Sequence, residues 1–334
     1  MKVLVTGGAG YIGSHAVKEL IDAGHSVTVL DNLGKGHHEA VDSRATLILG
    51  STANLDLLIQ RFYAHQIEAV MHFAADIEVG ESVTDPYKYY QNNLSNSLTL
   101  LHAMVEAGVK KLVFSSTAAV YGSASRNPIE EDEPLKPINP YGRSKMMTEM
   151  VIEDFVRAHG LSCSVLRYFN VAGANPDATI GEDHHPESHL IPKVLMAARD
   201  HGEVKIFGTD YDTPDGTCIR DYVHVVDLAR AHVLALEKLK VGKTDFFNIG
   251  SENGFSVREI IHACEKVVGK KIEVTGARRR LGDPAIIVAS SRKIRQELSW
   301  QPLYPGIETI VGHAWHWHTT HPHGYSHPIQ IHPQ

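Results

Sequence analysis

Cysteine is nearly absent from this 334-residue chain: Cys163, Cys218 and Cys264 stand far apart, with no C-x-x-C pair. An odd, widely spaced set excludes a disulfide framework and a thiolate zinc site as organising devices, and suits a reducing compartment. Missing too is any apolar run long enough to span a bilayer, and no basic-then-apolar leader precedes the first apolar stretch at Lys2. A cytoplasmic protein with no membrane partner is therefore expected. Nor is there an excess of positive charge, since the formal charge is −7 and the pI about 6.3. Affinity for a nucleic-acid backbone rests on surplus clustered Lys and Arg, so a general nucleic-acid binder is excluded and any anionic ligand must be met by locally placed cations. Internal repeats and low-complexity tracts are absent, apart from a His-rich end. The 43% hydrophobic content leaves an ordinary globular chain, long enough for one large or two moderate cores.

What is present begins at the N-terminus. Lys2–Thr6 is a Val- and Leu-rich run with little alternation, as suits a strand covered on both faces in a parallel sheet. Gly7, Gly10 and Gly13 follow at G-x-x-G-x-x-G spacing, which allows a tight turn, close backbone approach to a pyrophosphate and a helix whose N-terminal N–H groups face an anion. Such a turn also arises for packing alone, so its context decides. A second apolar strand, Ser26–Leu30, ends on Asp31, about 20 residues on, where a carboxylate can accept hydrogen bonds from adenosine ribose hydroxyls. That charge would repel a 2′-phosphate, so NAD is expected over NADP even with Lys35, His37 and His38 nearby.

Through about residue 170 strands and helical segments alternate, with further strands at Thr46–Leu49, Ala69–Phe73, Lys111–Ser115 and Ser162–Tyr168. This order builds a doubly wound parallel sheet. The helix after Asp85-Pro86 carries Leu94, Leu98, Leu101 and Val105 on one stripe and Leu100 and Met104 on a second. One side would pack on the sheet, leaving the other as a candidate homodimer interface or a deeper core. After Asn170 the irregular stretches Val171–Ser188 and Phe207–Thr217 are of the kind that carries function. A helix over about Val225–Lys238 and a strand at Phe246–Ile249 return to the first domain, and Ser256 to about Trp300 forms a smaller α/β region. The expected architecture is α/β: a Rossmann domain over 1–170 with a return segment at about 221–250, and a substrate domain from 171–220 and 251–334.

Tyr141-Gly-Arg-Ser-Lys145 is the second strong signal, because Tyr and Lys four apart share a helix face, so that the ammonium can sit under the phenol. Pro140 starts that helix, and Met147, Met150, Val151, Phe155 and Ala158 supply its expected buried stripe. A phenol is a poor base near neutrality. Lowering its pKa by about three units takes about 4 kcal/mol, for which the ammonium and a positive nicotinamide ring are sources. Upstream, Phe114-Ser115-Ser116-Thr117 ends a strand facing the same crevice, where the Thr117 hydroxyl could bond the reacting oxygen. A lone Y-x-x-x-K occurs on many solvated helices, but the dinucleotide turn and S-S-T before it make the set specific.

Taken in order, these motifs resemble the extended short-chain dehydrogenase/reductase superfamily. The likeness continues through Tyr11-Ile-Gly-Ser-His15, Leu30-Asp-Asn-Leu33, His72-Phe-Ala-Ala75, Val79-Gly-Glu-Ser82, Leu166-Arg-Tyr-Phe-Asn170, Ile206-Phe-Gly208, Asp215-Gly-Thr217, Arg220-Asp-Tyr-Val-His224 and Gly282-Asp-Pro-Ala285. Over nearly the whole chain this set is similar to the UDP-hexose 4-epimerases of that superfamily.

The resemblance implies an NAD that stays bound and is regenerated at every turnover. Tyr141, as phenolate, would take the proton of the sugar 4-hydroxyl while the C4 hydride passes to NAD; the 4-keto sugar would turn over and be reduced from its other face. Thr117 would orient the 4-oxygen and Lys145 would hold the nicotinamide ribose and tune Tyr141. The cofactor set it implies is Gly7, Gly10, Tyr11, Ile12, Gly13, Asp31, Asn32, Ser51, Phe73, Ala74, Ala75, Asn92, Tyr141, Lys145 and Tyr168. For the UDP-sugar it implies Thr117, Tyr141, Asn170, His189, Leu190, Phe207, Arg220, Arg280 and Asp283, with Arg suited to a diphosphate and Asp283 to uridine ribose. Of Arg278 and Arg279, at least one reads as a solvated charge.

Departures from the pattern matter. Gly50-Ser51-Thr52 replaces an acid that meets adenine in many relatives, leaving Ser51 for that contact, and Asp76-Ile-Glu78 stands where several have a Lys. The gate on the sugar 2-substituent falls at Ile287, neither bulky aromatic nor small, which leaves UDP-glucose, UDP-N-acetylglucosamine and UDP-xylose open. A nucleotide-sugar 4,6-dehydratase would want acids where Ala118-Ala119 follow Thr117, and a silent NAD-binding sensor would not need Thr117, Tyr141 and Lys145 together. His184, His185, His189 and the tail set His313, His316, His318, His321, His323, His327 and His332 invite a metal. No acid or thiolate partner is evident to complete a site, so no metal is expected beyond adventitious nickel or zinc.

Overall fold

A strand with no polar alternation needs cover on both faces, and β1 (Lys2–Thr6) has it. Val3 and Val5 share one core with Val17 and Leu20 of α1 (Tyr11–Asp22), whereas Leu4 joins Leu58, Phe62 and Leu100 in the other. The computed structural model describes residues 1–280 and 283–325. After α1 come β2 (Ser26–Asp31), β3 (Thr46–Leu49), α2 (Leu55–His65), β4 (Ala69–His72), α3 (Val79–Thr84), α4 (Pro86–Tyr89) and α5 (Asn96–Glu106). β5 (Lys111–Thr117), α6 (Pro140–His159), β6 (Ser162–Tyr168), β7 (Asn170–Ala172), α7 (Leu190–Asp200), β8 (Glu203–Phe207) and β9 (Ile219–His224) follow. The rest is α8 (Val225–Glu237), β10 (Thr244–Ile249), β11 (Gly254–Ser256), α9 (Val257–Val268), β12 (Glu273–Ala277), β13 (Ile286–Ile287), α10 (Arg292–Leu298) and α11 (Ile307–Thr320).

Seven parallel strands lie in the order β10-β6-β5-β4-β1-β2-β3. The winding reverses between β1 and β4, and ligands of such sheets sit in the crevice outside the carboxyl ends at that reversal. The expected Rossmann sheet is therefore present. β4 stops one residue before Phe73 and β5 runs on to Thr117, which carries the S-S-T stretch into the sheet. A smaller sheet joins β7, β9, β11 and β13, and β8 pairs with β12. Helices α7, α9 and α11 close a separate core over it through Ile191, Val194, Ile260, Ile261, Ile310 and Val311.

Three expectations are corrected by packing. Met147 and Met150 of α6 are 37% and 56% exposed, and the buried face is instead Tyr141, Ser144, Lys145, Thr148, Glu149, Ile152 and Val156. Its first turns face the crevice, where polar groups are buried because each has a partner, so hydropathy misplaces the start of the buried face, while Val151 and Phe155 of the expected stripe do pack against the second core. In the second case α5, which follows a π-helical turn at Tyr90–Ser95, splits the expected stripe: Leu98 is 45% exposed, whereas Leu101 is buried together with Leu100 and Met104. Lastly, α8 and β10 do return to the first core, but so do Ile294, Leu298 and Trp300, whereas β9 pairs within the second sheet. All three cysteines are buried and unpaired. Among the described residues no helix is long and apolar enough to cross a membrane.

Candidate active site

The glycine turn is built for close backbone approach. Gly7 takes φ +73° and a Cβ there would lie 2.5 Å from the Ala74 nitrogen, while one on Gly13 would lie 2.1 Å from the Gly7 oxygen. Any side chain would push β4 or α1 away from β1. Gly10 caps α1 without a side-chain bond, so the first N–H groups of the helix stay open toward the crevice. Asp31 is buried at the end of β2, accepting from Ala9 N at 3.0 Å and Leu33 N at 2.8 Å. Burial raises its pKa and the backbone donors oppose that. This cradle, with a carboxylate beside a pyrophosphate-sized turn, fits NAD. Phe73, Ala74 and Ala75 follow β4 at its rim. Ser51 Oγ accepts from Ala53 N at 3.1 Å beyond β3, and Asn32 Oδ1 from Gly34 N at 2.9 Å beyond β2.

Thr117, Tyr141 and Lys145 converge because β5 ends where α6 begins its first turn. Asn139 caps α6 by accepting from Gly142 N at 2.8 Å, which fixes the turn carrying Tyr141. Burial raises the Tyr141 phenol above its ordinary value and the neighbouring Tyr168 adds to this, while a hydrogen bond with the Thr117 side chain works downward. Lys145 is lowered to about 8 by burial, against the pull of Glu149. Its Nζ donates to the Ser115 carbonyl at 2.9 Å and lies 5.0 Å from the centre of the Phe114 ring. Lys145, one turn after Tyr141, is thus anchored to β5 by its ammonium. Burial accounts for the anchor, because a sealed ammonium needs a carbonyl partner. Tyr168 completes the wall, its hydroxyl 2.7 Å from Ser115 Oγ.

Beneath these groups lies a buried charge network that spacing did not reveal. Glu149 receives both Arg167 Nε at 3.1 Å and Nη2 at 2.7 Å, and Ser116 Oγ at 2.5 Å. Arg167 Nη1 continues to the Tyr121 hydroxyl at 3.0 Å, which donates to Asn248 Oδ1 at 2.7 Å. One ion pair therefore locks β5, α6, β6 and β10 together. Asn93, in the π-helical turn, was likewise overlooked in favour of Asn92. Asn93 Oδ1 accepts from Asp76 N at 2.8 Å and its Nδ2 donates to Asp76 O at 2.9 Å and Ser144 Oγ at 3.1 Å, so it sews the loop after β4 to α6. Asn92 itself bonds Asp76 Oδ2 at 3.0 Å. The irregular turn was the available signal.

At the other end, Asn170 starts β7 opposite Tyr222 of β9, and Arg220 sits on β9 opposite Ile287 of β13. Arg220 and Asp283 form an ion pair, and Arg220 also donates to the Pro284 carbonyl at 2.8 Å. Arg280 stacks over Phe207 at 4.2 Å, so two residues expected at the nucleotide are already together. Arg279 stacks on Tyr211 and pairs with Asp210 at 2.7 Å, which makes it a structural charge, and Arg278 is exposed. Gly282, His327 and His332 lie outside the described residues.

His189 caps α7 and Leu190 opens it. Here the expectation that no acid accompanies the histidines is corrected: Glu182 and Glu187 flank His184 and His189, with one donor atom of each within 4.8 Å of the others. The loop preceding α7 brings these acids round, a fold-back that sequence spacing does not show.

With this geometry in place, likeness to known proteins is informative. Residues 3–250 match the model of the NAD dependent epimerase/dehydratase family. A UDP-glucose 4-epimerase of Halalkalibacterium halodurans is 53% identical over 328 residues, 98% of each chain. The crystal structure of a UDP-glucose 4-epimerase superposes with a TM-score of 0.94 at 48% identity, covering 98% of this chain and all (100%) of that one. The UDP-glucose 4-epimerase of Bifidobacterium longum, in complex with NAD+ and UDP, gives 0.93 at 38% identity over 97% of this chain and 100% of its own.

Proposed function

Because the chain belongs to the NAD dependent epimerase/dehydratase family and its activity is the NAD-dependent 4-epimerisation of UDP-glucose, we propose that Thr117, Tyr141 and Lys145 carry that reaction. Bound NAD supplies the hydride acceptor and, in the return step, the hydride donor. Thr117 holds the sugar 4-oxygen through its hydroxyl, and Tyr141 takes the proton from that oxygen and gives it back after C4 has been inverted through a 4-keto sugar. Burial by itself holds the phenol above its ordinary value. The positive nicotinamide ring, aided by the nearby Lys145 ammonium, is what makes it a base. Lys145 holds the nicotinamide ribose from its anchor on Ser115.

The cofactor lies along Gly7, Gly10, Tyr11, Ile12, Gly13, Asp31, Asn32, Ser51, Phe73, Ala74, Ala75, Asn92 and Tyr168. Asn170, His189, Leu190, Phe207, Arg220, Arg280 and Asp283 hold the UDP moiety, the arginines on the diphosphate that an acidic chain must neutralise locally. Arg220 and Asp283 exchange their mutual pairing for ligand contacts. Residues 1–170 with α8, β10 and α10 form the cofactor domain, and β7–β9 with most of the remainder the substrate domain. The observation that carries this reading is the buried Tyr141–Thr117 pair at the carboxyl end of β5, on the same crevice as the glycine turn. Incubating the purified protein with UDP-galactose tests it: UDP-glucose should appear without added NAD, and none forming while NAD stays bound sinks it.

A homodimer is also proposed, supported by Leu98, Met147 and Met150 exposed on α5 and α6, and a cytoplasmic setting, supported by three buried free thiols. Light scattering of the eluted protein checks the first.

A further inference from the structure

The four side chains of Glu182, His184, Glu187 and His189 belong to neither a packed core nor the catalytic group, and their donor atoms converge. His189 Nδ1 lies 2.8 Å from Glu182 Oε1 and 3.1 Å from Glu187 Oε1, and His184 Nδ1 lies 3.2 Å from Glu182 Oε1 and 3.7 Å from Glu187 Oε2. A tetrahedral ion with bonds of about 2.0–2.1 Å sets its ligand atoms about 3.3 Å apart; these separations bracket that value, and one donor atom of each side chain lies within 4.8 Å of the others. A second observation points the same way. Glu182 is 4% exposed, yet its Oε1 is sealed from solvent without an aligned hydrogen bond, as is His184 Nδ1. The groups facing that oxygen are the two imidazoles, which satisfy it either as protonated partners or, when neutral, by sharing a cation with it.

We propose that Glu182, His184, Glu187 and His189 bind a divalent transition-metal ion of the zinc class. Two imidazole nitrogens and two carboxylate oxygens at tetrahedral spacing select such an ion over magnesium or calcium, which want more oxygens. Four protein donors leave no open position, so the ion is structural. It clamps the loop before α7 onto the cofactor domain, where Ser188 Oγ already donates to Glu78 Oε1 at 2.9 Å and the Tyr11 ring meets the His184 ring edge-on at 6.2 Å. The clamp thereby fixes His189 at the start of α7. Thr117, Tyr141 and Lys145 take no part in this site, and His189 holds the ion through Nδ1, which leaves its Nε2 edge for the UDP moiety proposed above.

Untagged, NAD-loaded protein stripped with a chelator and titrated with zinc chloride in a calorimeter tests the site. One ion per chain is expected, with affinity falling at least about a hundredfold in both His184→Gln and Glu187→Gln. The same titration of the His316→Asn, His323→Asn double variant should match the native chain. No stoichiometric uptake by the native protein, uptake surviving either cluster variant, or uptake lost in the double variant each overturns the site. Zinc-edge X-ray absorption on the loaded native protein needs no variant: two imidazoles and two oxygens near 2.0 Å support the assignment, and a six-coordinate shell refutes it.

Discussion

The two ends of the crevice are held by different means. At the cofactor end, glycine contacts and a parallel sheet covered on both faces set the geometry, and the Glu149–Arg167 ion pair there is sealed from water. At the substrate end, segments far apart in the chain meet through partly open pairs such as Arg220 with Asp283. The first is rigid before any ligand arrives, whereas the second keeps charges that a diphosphate can recruit. Rigid positioning of reacting groups beside an adaptable binding end is what a reaction requiring the sugar to present both faces demands.

Five substitutions would break or sharpen this contrast. Glu149→Ala leaves a buried guanidinium uncompensated and should cost about 3–5 kcal/mol, against about 1.5–3 kcal/mol for Arg220→Gln, whose charged hydrogen bonds are only partly buried. Denaturant unfolding of both variants checks this, and equal costs would erase the contrast. Tyr141→Phe should lower kcat at least about a hundredfold, some 2.7 kcal/mol of barrier, with NAD content per chain unchanged. Near-native turnover would remove Tyr141 from the chemistry.

Lys145→Met probes the sealed end by pH. Because burial lowers the ammonium from 10.5 to about 8, folding disfavours its charged form. The penalty is complete below pH 8 and fades as pH rises through 8 toward 10.5. The variant's stability relative to the native chain should therefore drop by about 2 kcal/mol between pH 7 and pH 10, measured by unfolding of the NAD-free proteins. A difference that does not move with pH would show that Lys145 carries no such penalty. The smallest effect is expected at the open end: Ile287→Tyr should suppress UDP-N-acetylglucosamine turnover about tenfold and change UDP-glucose turnover less than about twofold. Equal losses on both sugars would show that Ile287 is not the gate.

The same contrast governs what could be read in advance. Gly7, Gly13, Asp31, Tyr141 and Lys145 were legible because their work depends on neighbours within a turn or one βαβ unit. The buried face of α6 was not, because Ser144, Thr148 and Glu149 are admitted to the interior by partners on β5, β6 and the π-helical turn. Asn93 escaped notice for the same reason. Glu182 and Glu187 looked like loop acids until the fold-back before α7 set them against two histidines. Arg220 and Asp283, 63 residues apart, could be assigned to a nucleotide by resemblance but not seen to pair with one another.

By itself the sequence determined the order of strand, glycine turn, helix and acid, and the Tyr–Lys spacing on one helix, since these follow from backbone sterics and from periodicity over short distances. Only the tertiary structure decided which charges are buried, which are neutralised and by whom, and that Lys145 grips the Ser115 carbonyl of a neighbouring strand. Desolvation and pairing are set by segments distant in the chain, and no local pattern encodes them.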